Sequence, residues 1–132
     1  MCIRDRGIWV RTGDNARILN GTVRNFGGSG IYRSSATGTQ VFGVTVEEVG
    51  GNGIDIESGL IDGVLVRAAG NSGIRIREGI VRNSLVTNST SVGIRCLGPC
   101  LVINNVAVDT AGSGIVVSDS GLERDNVVFN NP

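Results

Sequence analysis

Histidine is absent from the 132 residues of this chain, and so is lysine, because all 12 basic residues are arginine. Without histidine the sequence has no Ser-His-Asp triad and lacks the commonest ligands of a catalytic zinc ion. Aromatic residues are only 4% of the chain, there are 2 prolines, and no apolar run approaches the roughly 18 residues of a membrane-spanning helix. These absences exclude a membrane span and several classes of hydrolase.

The charge of the chain also lacks a dominant sign. The 12 arginines are balanced by 12 acidic residues, so the formal net charge is zero. A chain that binds nucleic acid or an anionic membrane surface without specificity normally carries a basic excess. We therefore expect no nucleic-acid partner, and the length suits a single domain.

What the chain does contain is 21 glycines and a repeat. The motif Gly-Ile-x-aliphatic, with minor departures, starts at intervals of 23, 23, 20, 20 and 21 residues, at Gly7, Gly30, Gly53, Gly73, Gly93 and Gly114. Six copies at so regular a spacing indicate a stacked repeat architecture. The short alternating runs of β-branched residues within each copy predict strands, because alternate side chains of a strand face opposite sides.

Three further columns recur in each unit. The first aliphatic column comprises Ile18, Val41, Ile61, Val81 and Ile103, and the second comprises Val23, Val46, Val66, Val86 and Val108. Between them lies a turn column of Asn20, Gly43, Gly63, Asn83, Asn105 and Asn126. The last unit fits less well, because Arg124 falls at an aliphatic position.

The turn column predicts a tight corner, since glycine and asparagine enter the left-handed backbone region most readily. Three short strands and one such corner per unit predict one coil of a helix of strands. Successive coils would pair in parallel about 4.8 Å apart, so that side chains of one column lie over one another. This prediction explains why each column keeps its residue type.

Residues 73–89 and 101–117 resemble the repeats of right-handed parallel β-helix proteins of the pectin-lyase-like superfamily. The resemblance extends over about residues 7–132. It implies an all-β fold of about six coils with 20–23 residues and three short strands each. It also implies a location outside the cell or in the cell envelope. Function does not follow, because the superfamily includes lyases, hydrolases, epimerases, tail spikes and proteins without activity.

One segment lies outside the repeat. Residues 1–6 match none of its columns, and we interpret them as a non-native or disordered leader before a repeat domain over residues 7–132. That domain is predicted to be truncated and uncapped, because repeat arrays need polar terminal caps. We therefore expect further β-helix coils in a longer chain.

The outward-facing side chains of the first strand form the candidate glycan-binding face. It comprises Trp9, Tyr32, Asp55, Glu57, Arg75, Arg77 and Arg95. Arginine pairs with uronates, aromatic rings stack on sugars, and carboxylates serve as acid or base in glycoside chemistry. A ladder of solvated ion pairs between coils is the structural alternative.

Three functions are compatible with this face. The first hypothesis is a non-catalytic domain that contacts polysaccharide. The second is a fragment of a polysaccharide lyase or glycoside hydrolase that uses Asp55, Glu57 and neighbouring arginines, and the third is a structural spacer. No catalytic signature identifies an enzyme, so the catalytic residues stay undefined.

Cys96 and Cys100 flank a short turn. A disulfide across it and a buried free Cys96 are both compatible with the sequence. Two cysteines without histidine do not form a metal site. The single Gly-Gly-Asn-Gly-Ile-Asp sequence at residues 50–55 differs from tandem calcium-binding repeats. We therefore expect neither a metal nor a cofactor.

Overall fold

The structure is a computed structural model that describes residues 7–11, 14–33 and 37–131. Residues 1–6, for which a leader is predicted, lie outside this range. The described part consists of strands joined by turns, bends and irregular residues, and it contains no helix. Consequently, nothing in that part is a helix long and apolar enough to cross a membrane.

The described residues form fourteen strands, which belong to one continuous hydrogen-bonded sheet. They are β1 (Ile8–Val10), β2 (Arg17–Phe26), β3 (Ile31–Arg33), β4 (Thr39–Val49), β5 (Ile54–Asp62), β6 (Leu65–Ala69), β7 (Ile74–Arg82), β8 (Leu85–Thr87), β9 (Ile94–Cys96), β10 (Cys100–Ile103), β11 (Val106–Val108), β12 (Ile115–Val117), β13 (Leu122–Arg124) and β14 (Val127–Phe129). The longer strands turn a corner of the coil without a break, so each coil has three strand segments.

Every pairing between these strands is parallel and joins one coil to the next. In the first strand of each coil, Ile54 pairs with Ile74, and Ile74 with Ile94. The predicted stacking of like residues and the predicted parallel β-helix of about six coils are therefore confirmed. We call the sheet built from β1, β3, β9, β12 and the first halves of β5 and β7 the first sheet.

The core is a set of aliphatic columns that face the inside of the helix. Ile31, Ile54, Ile74 and Ile94 form one column of the first sheet, and each is fully buried. Valine and isoleucine fill the inner columns of the other two strand segments. Since each buried aliphatic side chain contributes roughly 1.5–3 kcal/mol, these columns supply most of the stability of the stack.

The repeated glycine of the anchor motif is required by space. A Cβ atom on Gly53 would lie 2.4 Å from Val66 Cγ1 and 2.5 Å from the carbonyl oxygen of Gly73. The glycine thus lets the coils approach each other at the corner that leads into the first strand. This steric requirement explains the most regular feature of the sequence.

The predicted aliphatic columns are wrong by one residue after Cys100. The structure pairs Val102, rather than Ile103, with Val81, and Ala107, rather than Val108, with Val86. One extra residue enters at the corner before Cys100, so the strands that follow pair with the preceding coil at a spacing of 21 residues, whereas the predicted columns assumed 22. The sequence left this unresolved because Val102 and Ile103 are both aliphatic.

The turn column needs the same correction. Asn20, Gly43, Gly63 and Asn83 have φ angles of 48°, 62°, 65° and 53°, which is the left-handed conformation. In the last two coils the left-handed residues at this corner are Asn104 and Asp125, each with φ of 56°. Asn105 and Asn126 follow them by one position.

Those two asparagines instead hold the corner together from the inside. The Asn105 side chain is fully buried, donates from Nδ2 to the carbonyl of Val81 at 3.0 Å and accepts from the amide of Ser84 at 3.0 Å. Asn126 repeats this one coil later with Val102 and Asn105. Each asparagine therefore satisfies backbone groups that the corner leaves without strand partners.

The last described coil also differs from expectation. Glu123 pairs with Val102 and so occupies the inward column, whereas Arg124 pairs with Ile103 on the outward side. Val128 continues the inner column of the third segment, because it pairs with Ala107, and Phe129 lies on the outward side opposite Val108. The polar residue in the aliphatic column is thus Glu123 rather than Arg124.

Candidate functional site

The first sheet presents one continuous outward column, which we call the first-sheet column. Parallel pairing places its members one coil apart in the order Trp9, Tyr32, Asp55, Arg75, Arg95 and Val116. This is the order that the repeat predicts. Neighbouring coils lie about 4.8 Å apart, so the column forms a straight line of side chains along the helix axis.

Asp55 is the least accessible member of this column. Its residue exposure is 8%, although it faces outward. Arg75 Nη1 donates to both of its carboxylate oxygens, at 3.1 and 3.3 Å, and Asn52 Nδ2 donates to Oδ2 at 3.0 Å. Asn52 also accepts from the backbone amide of Ser72, which anchors the group to the next coil. The carboxylate is therefore held rigidly and its oxygens are engaged.

Sequence reasoning did not identify Asn52 as a partner of Asp55. The asparagine is not repeated at this position, because Ser72 takes the corresponding place in the next coil. The sequence motif that contains Asn52 was considered only for calcium binding. The nearest signal was its separation of three residues from Asp55 across a corner. Without the path of the corner, that separation does not indicate contact.

Two other charged pairs on the outside have the same arrangement. Arg77 Nε lies 3.2 Å from Glu57 Oε1, and Arg82 Nε lies 2.9 Å from Asp62 Oδ2, each pair joining adjacent coils. The Glu57 and Arg77 side chains are 39% and 62% exposed. The third and fourth coils thus carry three parallel carboxylate–guanidinium pairs, two of them at the predicted site.

Arg95 breaks this ladder. It pairs through its backbone with Arg75 on one side and Val116 on the other, so no carboxylate precedes or follows it in the column. Its side chain is exposed, and the described residues provide no ion pair to it. Arg95 is therefore a charge that faces solvent beside an already occupied guanidinium.

The aromatic members lie at the opposite end of the column. Trp9 is 49% exposed, and the guanidinium carbon of Arg11 lies 4.9 Å from its ring centroid. Tyr32 is half-buried between Trp9 and Asp55. The contact of Arg11 with the Trp9 ring is a cation–π pair, and it adds a positive charge to this end of the surface.

A concave, acid-lined feature occurs elsewhere in the described part of the chain. It encloses about 280 Å³ and is lined by Glu123, Arg124, Asp125, Asn126 and Val128 in the last coil. These residues belong to the second and third strand segments and to the corner between them, rather than to the first sheet. The concavity therefore does not include Asp55 or Glu57.

Cys96 and Cys100 lie at the inner corner between the first and second strand segments of the fifth coil. Both are buried, and a disulfide joins them across a Cα separation of 6.2 Å. Leu97, Gly98 and Pro99 form the corner outside the bridge. The bridge thus closes the corner that holds the extra residue.

A comparison with protein-family models matches residues 6–132 to the family described as "Right handed beta helix region". This match spans nearly the whole chain. The chain belongs to the right-handed β-helix family. No curated protein and no solved structure gives a significant match.

Family membership supplies the handedness and the architecture of this β-helix domain. The match describes a region and specifies no reaction, substrate or partner. For a β-helix domain, the site must therefore be argued from its own side chains. Here those are the first-sheet column and its ion pairs.

Proposed function

We propose that this β-helix domain is a non-catalytic repeat domain, presented outside the cell or in the cell envelope, whose first-sheet column contacts an acidic polysaccharide. The observation that supports this most strongly is the alignment of an exposed Trp9 and an exposed Arg95 in one straight column. The proposal draws also on the resemblance of the repeats to the pectin-lyase-like superfamily.

The physical basis is the match between a linear array and a linear ligand. Side chains recur about every 4.8 Å along the column, so an extended glycan lying along it meets several of them. An indole ring offers a flat apolar face to a sugar ring. A guanidinium offers a fork of donors to a uronate carboxylate, and Arg95 has this capacity free of ion pairs within the described residues.

A catalytic role in the same column is less well supported. A general acid or base must exchange a proton with the substrate, and Asp55 already accepts hydrogen bonds from Arg75 and Asn52. Glu57 is paired with Arg77. A lyase or hydrolase fragment would therefore have to displace both pairs before its chemistry began.

A structural spacer is the second candidate, and the ladder of ion pairs favours it. Asp55–Arg75, Glu57–Arg77 and Asp62–Arg82 each connect one coil to the next. Such pairs stabilise stacking modestly and require no ligand. A stiff, self-stacking rod would have this surface whether or not it bound anything.

The test is binding of the full chain to a panel of acidic and neutral polysaccharides, with Arg95→Ala and Trp9→Ala as variants. Loss of a charge-assisted hydrogen bond of about 1.5–3 kcal/mol predicts that Arg95→Ala weakens binding to a polyuronate about tenfold or more. Trp9→Ala should weaken binding by a smaller factor than Arg95→Ala does. This factor should be similar for acidic and neutral polysaccharides. Arg124→Ala, an exposed arginine on another face, is the matched control.

Three outcomes distinguish the candidates. Binding that depends on Arg95 but not on Arg124 supports the proposal. No binding by the unmodified chain to any glycan favours the spacer. Release of new reducing or unsaturated sugar ends, abolished by Asp55→Asn, would replace the proposal with an enzyme.

A further inference from the structure

The interior of the second coil contains a charge. Arg33 occupies a second inward column of the first sheet, two residues after the Ile31 column, between Val10 in the coil before and Ile56 in the coil after. Its residue exposure is 1%, which makes it the largest fully buried side chain of the described part. The aliphatic column thus holds a guanidinium where its neighbours hold valine and isoleucine.

The hydrogen-bond donors of the Arg33 guanidinium have no acceptors among the described residues. Its Nε, Nη1 and Nη2 atoms are all buried, and none has a hydrogen-bond partner in the described structure. Arginine keeps its charge at any pH that a folded protein tolerates. Because a buried charge without a partner is strongly destabilising, an acceptor from outside the described protein groups is needed.

Thr39 has the same property on the same coil. It is fully buried, and its Oγ1 atom also has no partner among the described residues. It begins the second strand segment, whereas Arg33 ends the first. Two unsatisfied polar groups therefore flank one corner of one coil.

The fifth coil shows that these two columns converge. Pairing carries the Arg33 column through Ile56 and Ile76 to Cys96. Pairing carries the Thr39 column through Gly59 and Gly79 to Cys100. Since the two cysteines are joined by a disulfide, the columns line the same inner corner, and Arg33 and Thr39 face it together.

The carboxylates of Asp14 and Asp55 are engaged elsewhere. Asp14 is exposed in the first coil and accepts from the backbone amide of Thr37. Asp55 faces outward and is paired with Arg75 and Asn52. Neither one neutralises the inner corner.

We propose that the inner corner formed by Arg33 and Thr39 binds a small monovalent inorganic anion of the halide class. The guanidinium would donate N–H groups and the threonine hydroxyl its single O–H, and the anion would cancel the buried charge. The single charge to be balanced and the aliphatic side chains on both neighbouring coils favour a monovalent, monatomic ion over a carboxylate or a phosphate. The site is independent of the polysaccharide face.

The test is equilibrium urea unfolding of the full chain in sodium bromide and in sodium gluconate at matched ionic strength. An ion that binds the folded state alone lowers the unfolding constant about tenfold for each tenfold rise in its concentration above the dissociation constant. We expect this dependence on bromide for the unmodified chain. Arg33→Met should remove this dependence, because methionine has no N–H donors for the anion. The variant should still fold, because an unbranched aliphatic side chain restores the column. Arg24→Met, at an exposed arginine of β2, should leave it intact.

A second measurement does not depend on a variant folding. Crystals of the unmodified chain grown in bromide should show an anomalous peak within hydrogen-bonding distance of the Arg33 guanidinium. Absence of that peak, or bromide dependence that persists in Arg33→Met, would overturn the proposal. So would an unmodified chain that is insensitive to bromide but strongly destabilised by Asp14→Asn, since this would identify the Asp14 carboxylate as the partner.

Discussion

The inner and outer columns of the first sheet are built from alternate residues of the same strands, yet they differ in every respect. The inner column repeats isoleucine at Ile31, Ile54, Ile74 and Ile94, whereas the outer column changes from aromatic to acidic to basic side chains. In this inner column each position must fit the same space in every coil. Outside, only the strand conformation is fixed, so the side chains are free to serve another purpose.

The largest effect should follow from removing an inner side chain. Ile74→Ala leaves a cavity between two coils whose isoleucines are also fully buried, and we expect it to lower the free energy of unfolding by about 2–5 kcal/mol. Val116→Ala, in the outer column, should lower it by less than about 0.5 kcal/mol. Urea unfolding of both variants measures this difference. Equal effects would contradict the division between inner and outer columns.

A slightly smaller effect should come from the corner glycines. A Cβ on Gly73 would lie 2.2 Å from Val86 Cγ1 and 2.7 Å from the carbonyl oxygen of Gly93, so Gly73→Ala must push coils apart. We expect a loss of about 1–3 kcal/mol by thermal or urea unfolding. Gly21→Ala is the control, because its Cβ meets no atom within 4 Å. If Gly73→Ala lowered the free energy of unfolding no more than Gly21→Ala does, the spacing between coils would be adjustable.

The disulfide belongs to the interior but constrains only a short loop. For so few residues the chain-entropy relation gives a contribution of about 2 kcal/mol, and Cys96→Ser with Cys100→Ser should lose at least this amount. Thiol titration of the denatured, unreduced chain should find one free thiol, from Cys2, and none in Cys2→Ser. Three reactive thiols would show that the bridge does not form in solution.

The smallest effects should come from the outer ion pairs, and they should differ with burial. A double-mutant cycle for Asp55 and Arg75 should give a coupling of about 1 kcal/mol, because that carboxylate is largely buried. The exposed pair of Glu57 and Arg77 should give about 0.2–0.5 kcal/mol and lose it in high salt. Similar values for both pairs would contradict the dependence of the coupling on burial.

Most of the architecture could be predicted because the period constrains it. The positions of Ile54, Ile74 and Ile94 follow from one motif at a fixed spacing, and the structure stacks them in register. The offset after Cys100 could not be resolved in the same way. Alternation does not decide between Val102 and Ile103 when both are aliphatic, and the length of the preceding corner determines which of them faces inward.

The positions of the candidate site residues were predictable, but their hydrogen-bond partners were not. The repeat places Asp55 beside Arg75 on the outer face, and the structure agrees. The repeat gives no indication that Asn52 donates a hydrogen bond to the Asp55 carboxylate, because contacts across a corner have no periodic signal. Arg33 was visible as an irregular residue in an aliphatic motif, but its isolation from acceptors depends on the packing around it.

The corner between Cys96 and Cys100 has a consequence for how such a chain can change. It carries one residue more than the equivalent corner of the preceding coil, yet Cys96 stays aligned with Ile76 and Cys100 with Gly79. Added length is therefore accommodated as an outward bulge and is not transmitted along the stack. A gene encoding this protein can gain or lose codons at these bends, and so acquire new surface loops, while its hydrogen-bonded scaffold is inherited unchanged.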